Sequence, residues 1–198
     1  MKQKIKILLP LVEGFNELEL INILVVLKKA GIEVDVVGLP NKIVKGENGI
    51  TLMLDRSIFL RTKQDFEKVI KGEIPGINLN EYYGIILIGG EKGYKILEKS
   101  EAIKEIVKRF FNQGKLVAAS SLALFSLKKF GILENRKVSA PYGFEREFEY
   151  PRREDVVVDG NLITSRGIGK SLNFAVKIVE SILGKSVANK IKEELLIS

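Results

Sequence analysis

Short β-branched runs alternate with amphipathic segments along this chain, and that alternation limits the fold more than any other feature. "KIKILLPLV" at 4–12 reads as a buried strand, "NELELINILVVLKKAG" at 16–31 as a helix, and "IEVDVVGLP" at 32–40 as a strand closed by Gly38 and Pro40. Within the helix Leu18, Ile21, Leu24, Val25 and Leu27 or Lys28 recur at helical spacing, and Gly31 ends the run. Strand, helix and strand at this spacing predict a right-handed βαβ unit with parallel strands.

The pattern continues. "KIVKGENGITLMLD" holds two short strands around Glu47, Asn48 and Gly49, a hairpin or an extension of the sheet. Residues 61–80 are the least legible: "TKQDFEKVI" suggests one short helix and "KGEIPGINLN" a surface loop. "YYGIILIGG" is a buried strand ending in Gly89-Gly90, and "SEAIKEIVKRFFNQG" a helix with Ser100 as N-cap and Gly114 as stop. "KLVAAS" is a further buried strand, "LALFSLKKFG" its helix, "RKVSA" a strand, and "REDVVVDGNLITSRG" a hairpin turning at Asp159-Gly160. "KSLNFAVKIVESILG" and "SVANKIKEELLI" are the last helices. The fold class is α/β: a doubly wound, mostly parallel sheet sandwiched by helices, as one domain over residues 1–198.

In such sheets, sites form beyond the carboxyl ends of the strands. Three loops are therefore the candidates: Glu13 to Glu19, Gly89 to Gly93, and the Ser120-Ser121 elbow after "LVAA". Composition restricts their chemistry. The chain has no Cys and no His, which excludes disulfides, thiolate catalysis, Cys/His zinc sites and every Ser-His or Cys-His relay. No metal site and no cofactor is expected. The net charge of +7 comes from lysines interleaved with glutamates, as in "LEKSEAIKEIVKRF", so a solvated surface is preferred over a nucleic-acid face. No apolar run has the length of a membrane helix, and the start of the chain reads as a strand rather than a leader. Abundant Lys, Glu and Ile with no Cys suit a heat-adapted cytoplasmic protein.

Four segments in order, "LVEGFNELEL", "IILIGG", "LVAASS" and "DGNLITSRGIGKSLNFAVKIVE", resemble the DJ-1/PfpI (ThiJ) family of the class I glutamine amidotransferase-like superfamily. The resemblance implies a flavodoxin-like fold, a homodimer, and a reactive cysteine on the strand-to-helix elbow beside a glutamate from the first helix, often with a histidine downstream. The cysteine's place falls on Ser121, the glutamate's on Glu19 and the histidine's near Pro141-Tyr142. The cysteine and the histidine are thus both missing, and Leu122 and Leu124 stand where small residues and proline often follow. Family members are described as peptidases, glyoxalases or deglycases, and chaperones; thiol-dependent forms of those activities do not fit this chain.

What remains points to a remnant pocket that binds a small molecule or a partner. The alternative is a serine-dependent hydrolase or carbonyl-processing enzyme with Ser121 as nucleophile, Glu19 as proton partner, and Gly89, Gly90 and Leu122 around an oxyanion hole. A serine hydroxyl needs a base, and a carboxylate is a weak one unless its pKa is raised. Lys92, the other candidate activator, is expected in solvent. Each residue also has a plain structural role: Ser121 as a helix N-cap, Ser120 as the last strand residue, Glu19 as a helix-start acid, Gly89 and Gly90 as a strand end needing positive φ, Arg166 as a loop ion pair, and "YGFEREFEYPRRE" as a solvated face. If buried against Ser121, Glu19 is expected to be protonated and hydrogen-bonded.

Overall fold

A computed structural model describes residues 4–59, 63–71, 73, 74 and 76–197. The central sheet contains β1 (Lys6–Val12), β2 (Glu33–Leu39), β7 (Gly84–Leu87), β8 (Leu116–Ser120), β11 (Val156–Asp159) and β12 (Leu162–Ser165). Their order is β11-β12-β8-β7-β1-β2, parallel throughout except for β11 against β12. The inner strands are buried on both faces, which is why they read as unbroken apolar runs. Pairing of β1 with β7 stops at Leu8, two residues before Pro10, which has no N–H to continue a ladder.

Helices cover both faces. On one lie α1 (Glu17–Lys29), α6 (Ser171–Leu183) and α7 (Lys185–Leu195), whose Leu20, Ile23, Phe174 and Ile178 pack with Ile7, Leu9 and Leu11 of β1. On the other lie α2 (Lys63–Lys71), α4 (Glu101–Asn112) and α5 (Ala123–Lys129), whose Val69, Ile106, Phe110 and Leu127 meet Leu8 and Val12. Alternating β1 residues thus feed two cores, and the doubly wound architecture is as expected.

The apolar stripe expected for α1 is largely the wrong face. Leu20, Ile23, Val26 and Leu27 point into the core, whereas Leu18, Ile21 and Val25 are 54%, 50% and 47% exposed. The helix is apolar nearly all round, so periodicity alone could not choose the inward side; packing against α6 and the sheet does. Gly31, at φ 77°, ends the helix as expected.

Between β2 and β7 the chain forms β3 (Ile43–Lys45) and β4 (Thr51–Met53), an antiparallel hairpin separate from the main sheet. The short helix expected at "TKQDFEKVI" is α2, although Thr62 lies outside the described residues. The expected surface loop that follows is instead a small antiparallel pair, β5 (Glu73–Ile74) with β6 (Ile77–Asn78). Ile74, Ile77 and Leu79 are spaced to bury one side of it, which a loop reading overlooks; Gly72 and Pro75 of that segment lie outside the described residues. A short helix not anticipated, α3 (Gly93–Leu97), follows the Gly89-Gly90 corner. The "RKVSA" strand, β9 (Lys137–Ser139), pairs with β10 (Tyr150–Arg152) rather than joining the main sheet. The charged stretch at 142–154 therefore contains a strand, and Phe148 within it is buried.

Candidate functional site

β8 delivers Ser121 into an elbow. Ser121 has φ 54°, a left-handed conformation that ordinarily disfavours a side chain by roughly 1–2 kcal/mol. Its N–H donates to the Ser165 carbonyl at 2.8 Å, and its carbonyl accepts from Leu124 N–H at 3.2 Å. The strand is thereby turned into α5 within one residue. Leu122, not Ser121, occupies the N-cap position, and no side chain caps the helix. The helix-cap role expected for Ser121 is thus not the one it has. Ser121 and Leu122 both line an open pocket of about 1030 Å³, together with Gly14, Glu47, Gly90 and Tyr142. The leucine after the elbow therefore does not close it.

Behind the elbow lies Glu19. It is fully buried and accepts a hydrogen bond from the Ser120 hydroxyl at 2.6 Å. Burial pushes its carboxyl up to about 7, the Ser120 bond works against this, and the negative charge of Glu47 adds to it. A carboxyl in this setting takes a proton near neutrality, but its hydrogen-bond partner is Ser120 and not the Ser121 that the sequence reading placed against it. The bond runs to Ser120, the last residue of β8, and Glu19 is not among the residues lining the pocket. Asn16 holds the helix start in place: its Oδ1 accepts the Glu19 N–H at 3.0 Å.

The Gly89-Gly90 corner is glycine for want of space. Neither residue has the positive φ that a strand-end reading required. A Cβ on Gly89 would lie 2.9 Å from Tyr94 N, and one on Gly90 would fall on Glu47 Oε2 beside the Gly14 carbonyl. Lys92 is exposed, as expected. Arg166 serves as a loop tie, donating to the Arg153 carbonyl at 2.8 Å and to Glu145 Oε1 at 3.2 Å. Pro141, Tyr142 and Phe144 also line the pocket, with Phe144 packed edge-on to Phe125 at 5.4 Å.

Three residues of this region carry no weight in a reading of motifs. Glu17 accepts from Asn48 N–H at 2.9 Å, Asn48 Nδ2 at 2.7 Å and Ile50 N–H at 3.3 Å, which pins the hairpin tip to α1. Burial opposes its ionisation, but these hydrogen bonds prevail and hold its pKa below the ordinary carboxylate value. Glu47 accepts from Asn16 Nδ2 and from Glu91 N–H, the latter at 3.2 Å. Asn16 was recoverable, because an Asn three residues before Glu19 at a helix start is cap spacing. Glu17 and Glu47 had no local signal, since their partners arrive from distant loops.

The chemistry available to Ser121 is correspondingly narrow. The buried Glu19 is bonded to Ser120, Arg166 is committed to Glu145, and the chain holds no imidazole or thiol. Among the described residues, no three acidic side chains converge to hold a metal ion.

The chain matches the model of the DJ-1/PfpI family over residues 5–181. It is 30% identical to protein DJ-1alpha of Drosophila melanogaster over 194 residues, which cover 96% of this chain and 82% of that protein. It is also 30% identical to the Parkinson disease protein 7 homolog of Danio rerio, covering 94% of each. Among solved structures, oxidized DJ-1 of Toxoplasma gondii superposes with a TM-score of 0.83 at 28% identity, covering 97% of this chain and 98% of that one. Drosophila DJ-1beta does so with a TM-score of 0.80 at 27% identity, covering 98% and 99%. A family match spanning most of the chain, with 30% identity to two relatives covered over most of their length, establishes that this chain belongs to the DJ-1/PfpI family, as a member without a cysteine.

Proposed function

We propose that this protein binds a small molecule or a partner at the elbow pocket and carries out no thiol-dependent catalysis. The observation that carries this reading is the Ser120–Glu19 hydrogen bond. It engages Glu19, the fully buried acid of α1, with Ser120 rather than with Ser121 at the turn. Ser121 opens on the pocket, yet no general base is bonded to it to take its proton. The pocket is open, large enough for a metabolite-sized ligand, and lined by polar loops with an aromatic side at Tyr142 and Phe144.

One observation favours a second reading. Ser121 keeps the strained left-handed conformation that presents a nucleophile in other elbows. In that case Ser121 would attack a carbonyl, Glu19 would relay the proton, and the N–H groups of Gly89, Gly90 and Leu122 would bear the oxyanion. A fluorophosphonate probe separates the two. No labelling of the folded protein is the expected result, whereas labelling at Ser121 that is lost in Ser121→Ala would overturn the binding-only reading.

The chain also serves, in this proposal, as a single-domain cytoplasmic homodimer from a heat-adapted source. The outward apolar face of α1, formed by Leu18, Ile21 and Val25, supports the second copy as occupant. The Lys- and Glu-rich composition supports the habitat. No helix among the described residues is long and apolar enough to cross a membrane. Nucleic acid is ranked last as a partner, because the lysines alternate with acids rather than forming one face.

A further inference from the structure

Glu47 enters the pocket from the hairpin tip rather than from the sheet. Its backbone N–H is donated to the Phe15 carbonyl at 2.9 Å, which fixes where its side chain begins. The carboxylate oxygens are then divided: Oε1 accepts from Asn16 Nδ2, and Oε2 accepts from Glu91 N–H at 3.2 Å. Asn16 is only 4% exposed, and its Oδ1 is already used by Glu19 N–H. Its Nδ2 is therefore a buried donor directed at Glu47, which lines the pocket, and leaving it without an acceptor would carry the full desolvation penalty of that group. The missing side chain of Gly90 makes the room that Glu47 Oε2 occupies.

Both donors to this carboxylate are neutral N–H groups, one from a side-chain amide and one from the backbone. Glu47 itself is exposed, so rotating it into solvent costs little, whereas the donors it leaves behind must be satisfied. We propose that these donors form a carboxylate seat, that Glu47 fills it in the free protein, and that the pocket's ligand is a small carboxylic acid anion displacing Glu47 from Asn16 Nδ2 and Glu91 N–H. Lys45 and Lys92 line the same pocket and supply positive charge as a ligand carboxylate enters. The Gly14 carbonyl beside the seat disfavours a bulkier, more highly charged group, so phosphate fits less well than a planar carboxylate. This inference rests on the small-molecule reading of the pocket and adds the class of ligand.

The test is a titration of the ¹⁵N-labelled full chain with acetate, L-lactate, inorganic phosphate and, as a neutral probe, acetamide, in the wild type, Glu47→Ala and Glu47→Gln. Removing the internal competitor is expected to tighten acetate and lactate binding by about tenfold in Glu47→Ala. The Glu91 amide and the Asn16 side-chain amide should move most, with phosphate weaker than acetate. Glu47→Gln keeps an acceptor for Asn16, guards against misfolding, and should fall between the other two. Equal acetate affinity in all three proteins, an unmoved Glu91 amide, or tighter binding of phosphate would overturn the carboxylate seat. If acetamide perturbs the Ser121 and Tyr142 amides as acetate does, the pocket still binds small molecules and only the ligand class falls. If no probe moves those amides, the binding reading falls as well.

Discussion

The hydroxyl of Ser120 lies 2.6 Å from Glu19 Oε1, so this fully buried acid of α1 is bonded one residue before the left-handed turn at Ser121. Ser120 ends a strand buried along its whole length, and in register it neighbours Ser165. The oxygen Glu19 Oε2 and the Ser165 hydroxyl are both buried and have no hydrogen-bond partner among the described residues. A neutral carboxyl suits that surrounding far better than a charged one, because an ion there would be short of donors. The pair thus stores a proton behind the pocket instead of activating the residue in front of it.

Stability should consequently fall as pH rises from about 4.5 towards neutrality. The carboxyl of Glu19 titrates near 7 when folded against an ordinary value of 4.5. Between those values the folded chain holds a proton that the unfolded chain has released, so each step up in pH favours unfolding. The effect is absent below about 4.5, grows to about 3 kcal/mol by pH 7 and then levels off. Glu19→Gln, which keeps an acceptor for Ser120 without a charge, is expected to remove this slope and to exceed the wild type in stability at pH 8. Ser120→Ala deletes the interaction that favours the ionised form and should move the inflection above 7. Urea midpoints measured from pH 4 to 9 read all three; a flat wild-type profile would refute the buried proton.

Strain at the elbow makes a separate prediction. Because Ser121 has φ 54°, Ser121→Gly should stabilise the protein by roughly 0.5–1 kcal/mol, and Ser121→Val should destabilise it by about 1–2 kcal/mol. At a position with ordinary backbone the order would be reversed, since glycine is the costlier residue there. Thermal unfolding of the two variants at one pH decides the matter.

Both substitutions probe a feature that the sequence located but did not describe. The strand-to-helix switch at "LVAASS" was legible because buried runs and their following helices obey different periodicities. The residue at the turn read as a cap because serine before a helix usually is one, and only the backbone reveals the left-handed turn. For α1 the difficulty was of another kind. Leu18, Ile21 and Val25 satisfy helical spacing as well as Leu20, Ile23 and Leu27 do, and nothing local ranks two apolar faces. Glu47 was invisible because its partners, Asn16 and Glu91, are brought together only when three loops close over the sheet end. Gly90 was legible as a site glycine for the wrong reason, its role being clearance for that carboxylate rather than a positive φ.

The outward face of α1 should govern assembly. Leu18, Ile21 and Val25 lie at i, i+3 and i+7 on one exposed stripe, and a two-fold axis would set that stripe against itself. Ile21→Glu places a charge at the middle of the stripe, with a like charge opposite it in a symmetric pair. The expected outcome is a monomer by analytical ultracentrifugation with an unchanged far-UV spectrum, while Lys190→Glu on the exposed side of α7 leaves the mass as in the wild type. A dimer that persists in Ile21→Glu would move the interface elsewhere.

Restoring sulfur at the elbow tests the geometry independently of the missing chemistry. Ser121→Cys would put a thiol on the left-handed residue just before α5, open to the pocket and within reach of the backbone N–H groups that begin that helix. Such a setting favours the thiolate and lowers the pKa of a cysteine. Glu19, bonded to Ser120 and only partly ionised at pH 7, would add less than a full negative charge to oppose it. Alkylation by iodoacetamide at pH 7 is therefore expected to be faster for Ser121→Cys than for Lys190→Cys on the exposed surface of α7. The advantage should shrink above pH 7, as Glu19 loses its proton and its charge disfavours a neighbouring thiolate. Equal rates at every pH would mean that the elbow no longer activates what it holds.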